Sequence, residues 1–151
     1  MRRLRQRSPA GFAIALHVEF TTPKYLFQAY DKDWLNHYSS HGLVMQDPTV
    51  HWGFANTGTI RWSEIADDDP MGVLAQAAEH GLRYGLTVSV FANNSRSIAS
   101  FARNDREMSD LDMAAISADV KALHKITWTA QSFTPELHLT LKQLSIYLTH
   151  A

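Results

Sequence analysis

The chain has no cysteine in its 151 residues, which excludes a disulfide framework, a thiol nucleophile and any zinc site built on thiolates. It lacks charge of one dominant sign: 14 basic residues face 15 acidic ones for a net charge of −1, so no global electrostatic argument favours nucleic acid. No stretch approaches the roughly 20 consecutive apolar residues needed to span a bilayer. No G-x-S-x-G elbow, phosphate-cradling glycine loop or HExxH pair occurs. What remains is an ordinary globular composition, 45% hydrophobic and 19% charged, long enough for one domain with a real core.

The basic start, Met1-Arg2-Arg3-Leu4-Arg5-Gln6-Arg7, precedes the apolar run Gly11 to Leu16 and so raises the question of a signal peptide. His17 and Glu19 interrupt that run and no small-x-small cleavage site follows. The expectation is a frayed, solvated basic tail on a cytoplasmic protein. The eight histidines are scattered, with only His37 and His41 one helical turn apart, and are expected as solvated surface side chains with no metal site.

Hydrophobic periodicity predicts the elements. Phe12, Ile14, Leu16, Val18 and Phe20 alternate as a strand with one buried face, and Tyr25 to Ala29 follows as its hairpin partner. A helix spans Asp31 to Ser40, stopped by Gly42. Asp69 and Pro70 open a second helix that ends at Gly81. Leu86, Val88 and Val90 form a strand, Asn93-Asn94 a turn, and Ser97 to Ala102 the returning strand. Ser109 caps a long amphipathic helix carrying Met113, Ile116, Val120 and Leu123. Thr134-Pro135 opens a last helix striped by Leu137, Leu141, Leu144 and Leu148. Two hairpin pairs interleaved with helices predict an α+β fold, an α/β/α sandwich with a central antiparallel sheet covered by helices on both faces.

Chemistry concentrates in one series of residues. Tyr30, Trp34 and Tyr38 stand four apart, so Trp34 and Tyr38 share a helix face with Tyr30 at its entrance. Asp47-Pro48 and Trp62 follow. Aromatic rings supply apolar walls, phenol and indole supply directional donors, and a carboxylate supplies an acceptor for a neutral amide. Asp47 beside Pro48 also reads as a helix N-cap. The set describes a receptor pocket for a small molecule with an apolar tail and an amide-bearing head, rather than a catalytic centre.

This ordered spacing resembles the autoinducer-binding domain of LuxR-type quorum-sensing regulators, which bind N-acyl homoserine lactones. The glycines of Gly81-Leu82-Arg83-Tyr84-Gly85 look like that family's glycine pair, and Ser100 stands where it commonly has a small hydroxyl residue. The resemblance runs from about Phe12 to about Ile126. It implies that residues 1–130 form the ligand-sensing domain, and that 131–151 are a linker and the start of a truncated helix-turn-helix. It implies that Trp34 donates to the lactone carbonyl, Asp47 accepts the amide N–H and Tyr30 donates to the acyl carbonyl. Ser100 would reach the acyl carbonyl or a 3-substituent, with Tyr38 and Trp62 as walls. No catalytic residue, metal or cofactor is expected beyond the lactone as signal ligand. Ligand-coupled folding and dimerisation are implied, as a homodimer or with a full-length regulator, with the helix from Ser109 to Ile126 as the dimer surface. DNA would be bound only through a helix-turn-helix beyond this chain, and no membrane is involved. The alternatives are a sensor-only dominant-negative dimer partner and a small lactone-processing enzyme. A third is a module whose pocket is plugged by its own Met45, Phe91 or Phe101. The chain departs from the family at Asp31 and Ser89, where proline is common, and at the turn Asn93-Asn94-Ser95.

Overall fold

A computed structural model describes residues 1–20 and 22–129. The chain runs α1 (Arg2–Arg7), β1 (Gly11–Glu19), β2 (Thr22–Gln28), α2 (Lys32–Ser40), α3 (Pro48–Ala55), β3 (Gly58–Arg61), α4 (Val73–Glu79), β4 (Tyr84–Ala92), β5 (Ser95–Arg103) and α5 (Asp110–Trp128). Single 3-10 turns lie at Leu43–Met45 and Trp62–Glu64. The two expected hairpins are not separate pairs. β1 also pairs with β5, so the five strands of the described residues form one antiparallel sheet in the order β2-β1-β5-β4-β3.

Successive side chains on a strand point to opposite faces, and here the two faces differ in size. Phe12, Ile14, Leu16, Tyr25, Phe27, Leu86, Val88 and Phe101 fill one side, where Ile116 and Val120 of α5 close over them. Leu4 of α1 belongs to the same core at 1% exposure. The arginine-rich start is therefore not a frayed tail. Its one leucine buries while Arg3 and Arg7 pair with Asp119 and Asp112 of α5 at 3.0 and 3.1 Å. The other sheet face carries α2, α3 and α4, as the expected sandwich requires.

The period-two pattern in β1 fails at its end. His17 adopts φ 54° and the register with β5 shifts between Ala15 and Val18, a β-bulge. Leu16 and His17 thus both point toward α5, and Val18 returns to the opposite face. Phe20, expected inside, is 96% exposed at the hairpin tip.

The helix expected at Asp69-Pro70 begins instead at Val73, yet Asp69 still caps it by accepting the Val73 and Leu74 N–H groups at 2.8 Å each. Its end is a Schellman motif. Gly81, at φ +86°, donates to the Ala78 carbonyl and Leu82 to that of Ala77. Asn93 and Asn94 both hold positive φ, the geometry of a two-residue hairpin turn matched to strand twist. The Ser109–Asp112 capping box opens α5 as expected. The helix expected from Thr134, and the linker and helix-turn-helix start assigned to 131–151, lie outside the described residues.

Candidate functional site

Between the sheet and the layer of α2, α3 and α4 lies a cavity of about 630 Å³, within the roughly 300–1,000 Å³ usual for small-molecule sites. Its floor follows from register. Gln28, Ala13 and Ser100 stand side by side across β2, β1 and β5, a largely polar row that Thr87 of β4 continues beneath Trp62. The next row is Leu26, Ala15 and Ile98, and beyond the bulge come Pro23 and Val18. The floor is polar at one end and aliphatic toward the other. Ala13 and Ala15 present only methyl groups, which leaves the space open.

The roof places the aromatic series over the polar row. Trp34, buried at 4% exposure, packs its ring 5.6 Å from Tyr38 and 5.3 Å from His80. Among the described residues no protein acceptor takes its indole N–H. Tyr38 donates its hydroxyl to Asp47 Oδ2 at 2.8 Å, while Asp47 Oδ1 accepts from the Thr49 amide at 2.9 Å and the Thr49 hydroxyl at 2.7 Å. Asp47 is thus both the N-cap of α3 and part of the cavity wall. Tyr30 donates to the Ser100 carbonyl at 3.1 Å. Burial, then the nearby Asp47 charge, push the Tyr30 and Tyr38 phenols well above their usual range, so both stay protonated donors.

Trp62 lies flat against the sheet because position 85 is glycine. A Cβ there would fall 1.9 Å from the indole ring. So seated, Trp62 donates its N–H to Thr87 Oγ1 at 3.0 Å, and Thr87 Oγ1 is 2.8 Å from Ser100 Oγ. Val44 and Met45 from the first 3-10 turn and Phe54 from α3 line the aliphatic end, where they are 48%, 68% and 43% exposed.

All six residues singled out from the sequence, Tyr30, Trp34, Tyr38, Asp47, Trp62 and Ser100, line this one cavity. Neither phenylalanine suspected of plugging it does so. Phe101 packs on Phe12 in the opposite core, at 5.9 Å, and Phe91 lies outside under Arg96, at 5.0 Å. Met45 is at the rim. Thr49, Thr87 and Gln28 join these six without having stood out in the sequence. Gln28 and Thr87 carry no mark in the sequence, and only strand register brings them beside Ser100.

The expectation of uniformly solvated histidines also fails. His17 and His124 are 6% and 2% exposed, with ring centroids 4.4 Å apart. His17 Nε2 reaches the His124 carbonyl at 3.0 Å and its Nδ1 reaches Ser95 Oγ at 2.7 Å, while His124 Nδ1 lies 2.7 Å from Ser97 Oγ. Among the described residues no group of three or more His, Asp or Glu is placed to hold a metal ion, and no helix is long and apolar enough to cross a membrane.

A family model described as the autoinducer binding domain matches residues 11–130. The chain is 27% identical over 142 residues to the HTH-type quorum-sensing regulator RhlR of Pseudomonas aeruginosa, covering 93% of this chain and 58% of that protein. Against the transcriptional activator protein SolR of Ralstonia solanacearum it is 25% identical over 108 residues, 71% of this chain and 46% of that one. The chain therefore spans about half the length of the curated relatives it matches. Among solved structures, SdiA, an Escherichia coli protein, in complex with octanoyl-rac-glycerol superposes with a TM-score of 0.61 at 18% identity, over 99% of this chain and 76% of that one. At that identity the likeness is one of fold.

Proposed function

This chain belongs to the autoinducer-binding domain family of LuxR-type regulators, and from that premise we propose that its cavity receives an N-acyl homoserine lactone. The carrying observation is the polarity of the cavity, with Trp34 N–H, Tyr30 O–H and Asp47 gathered at one end and aliphatic side chains at the other. The lactone head lies under α2, where Trp34 donates to the ring carbonyl. Asp47 accepts the amide N–H, since each carboxylate oxygen can take more than one donor and Oδ2 has only Tyr38. Tyr30 turns its hydroxyl from the Ser100 carbonyl to the acyl carbonyl. The acyl chain runs over Ala15 and Ile98 toward Met45 and Phe54.

The relatives RhlR and SolR are regulators, and the role proposed here is sensing rather than turnover. Occupancy stabilises the fold, and dimerisation follows through the outer face of α5, where Leu111 is 74% exposed beside Ala118 and Ala122. The partner is a second copy or a full-length regulator, and DNA reading belongs to a segment other than this domain.

The test is thermal unfolding and calorimetric titration of the 151-residue chain against acyl homoserine lactones of graded length. A native-state ligand at 100 times its dissociation constant adds about 2.7 kcal/mol. Asp47→Asn is expected to weaken binding by roughly ten- to a hundredfold, since it replaces a charge-assisted acceptor. Trp34→Phe should act in the same direction. The ester analogue of each lactone, in which oxygen replaces the amide N–H, serves as control. If it loses as much affinity in Asp47→Asn as the lactones do, the amide role of Asp47 is wrong. Hydrolysis of an added lactone would replace the receptor by an enzyme.

A further inference from the structure

Two side chains on the cavity floor have chemistry that an unsubstituted acyl chain would not use. Gln28 is half-buried on β2 and lines the cavity, and among the described residues no hydrogen bond engages its carboxamide. Ser100 stands in the same row on β5, with Ala13 of β1 between them. Gln28 and Ser100 are therefore two strand spacings apart, about 9–10 Å at the backbone. The methyl group of Ala13 leaves the space between their polar ends open.

The direction of the Ser100 hydroxyl is set from behind. An indole N–H can only donate, so Thr87 Oγ1 accepts from Trp62. Thr87 is fully buried, and its own proton has Ser100 Oγ as its partner. Were Ser100 the donor of that bond, the Thr87 proton would be left buried without an acceptor, which is the costly arrangement. The chain of bonds therefore runs Trp62 to Thr87 to Ser100 and leaves the Ser100 proton to point into the cavity. Each bond polarises the next, making Ser100 a stronger donor.

We propose that Gln28 and Ser100 form a polar grip for an oxygen on the acyl chain beside its amide end, and that Thr87 is the positioning residue that fixes Ser100 as donor. A 3-oxo group would accept from both the Ser100 hydroxyl and the Gln28 amide. A 3-hydroxyl would accept from Ser100 and donate to the Gln28 amide oxygen. The location fits, because Tyr30, proposed at the acyl carbonyl, is bonded to the backbone of Ser100 itself. The first chain carbons thus pass over the Ala13 row, and the remainder lies on the aliphatic rows beyond. An unsubstituted chain leaves the carboxamide and the hydroxyl facing methylene groups. This assignment rests on the lactone-receptor reading and narrows its ligand to 3-oxygenated acyl homoserine lactones.

The experiment titrates the full chain with N-octanoyl, N-(3-oxooctanoyl) and N-(3-hydroxyoctanoyl) homoserine lactone, in wild type and in Gln28→Leu, Thr87→Val and Thr87→Ser. Wild type is expected to prefer the two oxygenated ligands by about tenfold. Gln28→Leu should erase that preference chiefly by raising affinity for the unsubstituted ligand, which a merely structural role would not do. Thr87→Val should lower the preference and Thr87→Ser restore it. If Thr87→Val fails to fold, Gln28→Leu alone decides the matter. Equal binding of all three ligands by wild type overturns the grip. A preference that survives Gln28→Leu removes Gln28 from it. If no lactone binds wild type at all, the receptor reading fails first and this assignment falls with it.

Discussion

The two faces of the one sheet are made by the same strands and do opposite things. Toward α5 the strands present Phe12, Ile14, Leu16, Phe27, Leu86 and Phe101, and the space is full. Toward α2–α4 small and polar residues, Ala13, Ala15, Gln28, Gly85, Thr87 and Ser100, are interspersed with Leu26 and Ile98, and the space holds a cavity of about 630 Å³. The difference is side-chain volume at alternate residues. One face contributes stability through apolar burial, at roughly 25 cal/mol per Å². The other forgoes that burial to keep room and aimed polar groups. Under the proposed function, binding would supply the missing contacts and so stabilise the fold.

Hollowing the filled face would break this contrast most severely. Phe101→Ala removes a fully buried ring that touches no part of the cavity, and should cost about 3–5 kcal/mol in urea unfolding. Ligand preference in the surviving folded fraction should be unchanged. A loss below about 1 kcal/mol would mean that this face is not the stability core. Filling the hollow face is the converse experiment. Ala15→Leu places a branched side chain where the acyl tail is proposed to run, and should reduce affinity by about tenfold or more. The thermal midpoint without ligand should hold or rise, because the added carbons enter existing space. A drop in that midpoint would show that the cavity is less open than its walls suggest.

The smallest effect sharpens the comparison at its edge, where the β1 bulge delivers His17 to the filled side. Burial, followed by the neighbouring His124, lowers its pKa below the ordinary value. The unfolded chain then takes up a proton near pH 6.5 while the folded one resists it. Stability is thus complete above about pH 6.5 and declines as pH falls from there toward the lowered folded value. Denaturant midpoints between pH 7.5 and 5 should show this slope in wild type and a flatter one in His17→Gln.

The strands of the filled face were legible because large apolar residues recur every second position. The helix face of Trp34 and Tyr38 was legible from its spacing of four, and Asp47-Pro48 from capping chemistry. Other features carried no such mark. The bulge hides within an unbroken alternation from Phe12 to Phe20, since nothing in Leu16-His17-Val18 announces an extra residue. β3 is four residues at a sheet edge, too short for a period to register. α1 is polar at five of its six positions, and only its contacts with α5 reveal why Leu4 matters. Gln28 and Thr87 read as ordinary strand residues until register sets them beside Ser100.

Asp47 holds two posts at once, as N-cap of α3 and as acceptor in the cavity wall. Its replacement would loosen the short helix that forms the wall as well as the proposed head contact, an N-cap being worth about 0.5–2 kcal/mol. Head recognition is therefore hard to redesign or to drift by single substitutions, because each step also taxes the scaffold. Val44, Met45 and Phe54 are exposed at the rim and their side chains cap nothing. Divergence in this receptor should accumulate at the rim, giving descendants that keep the head group and trade one tail for another.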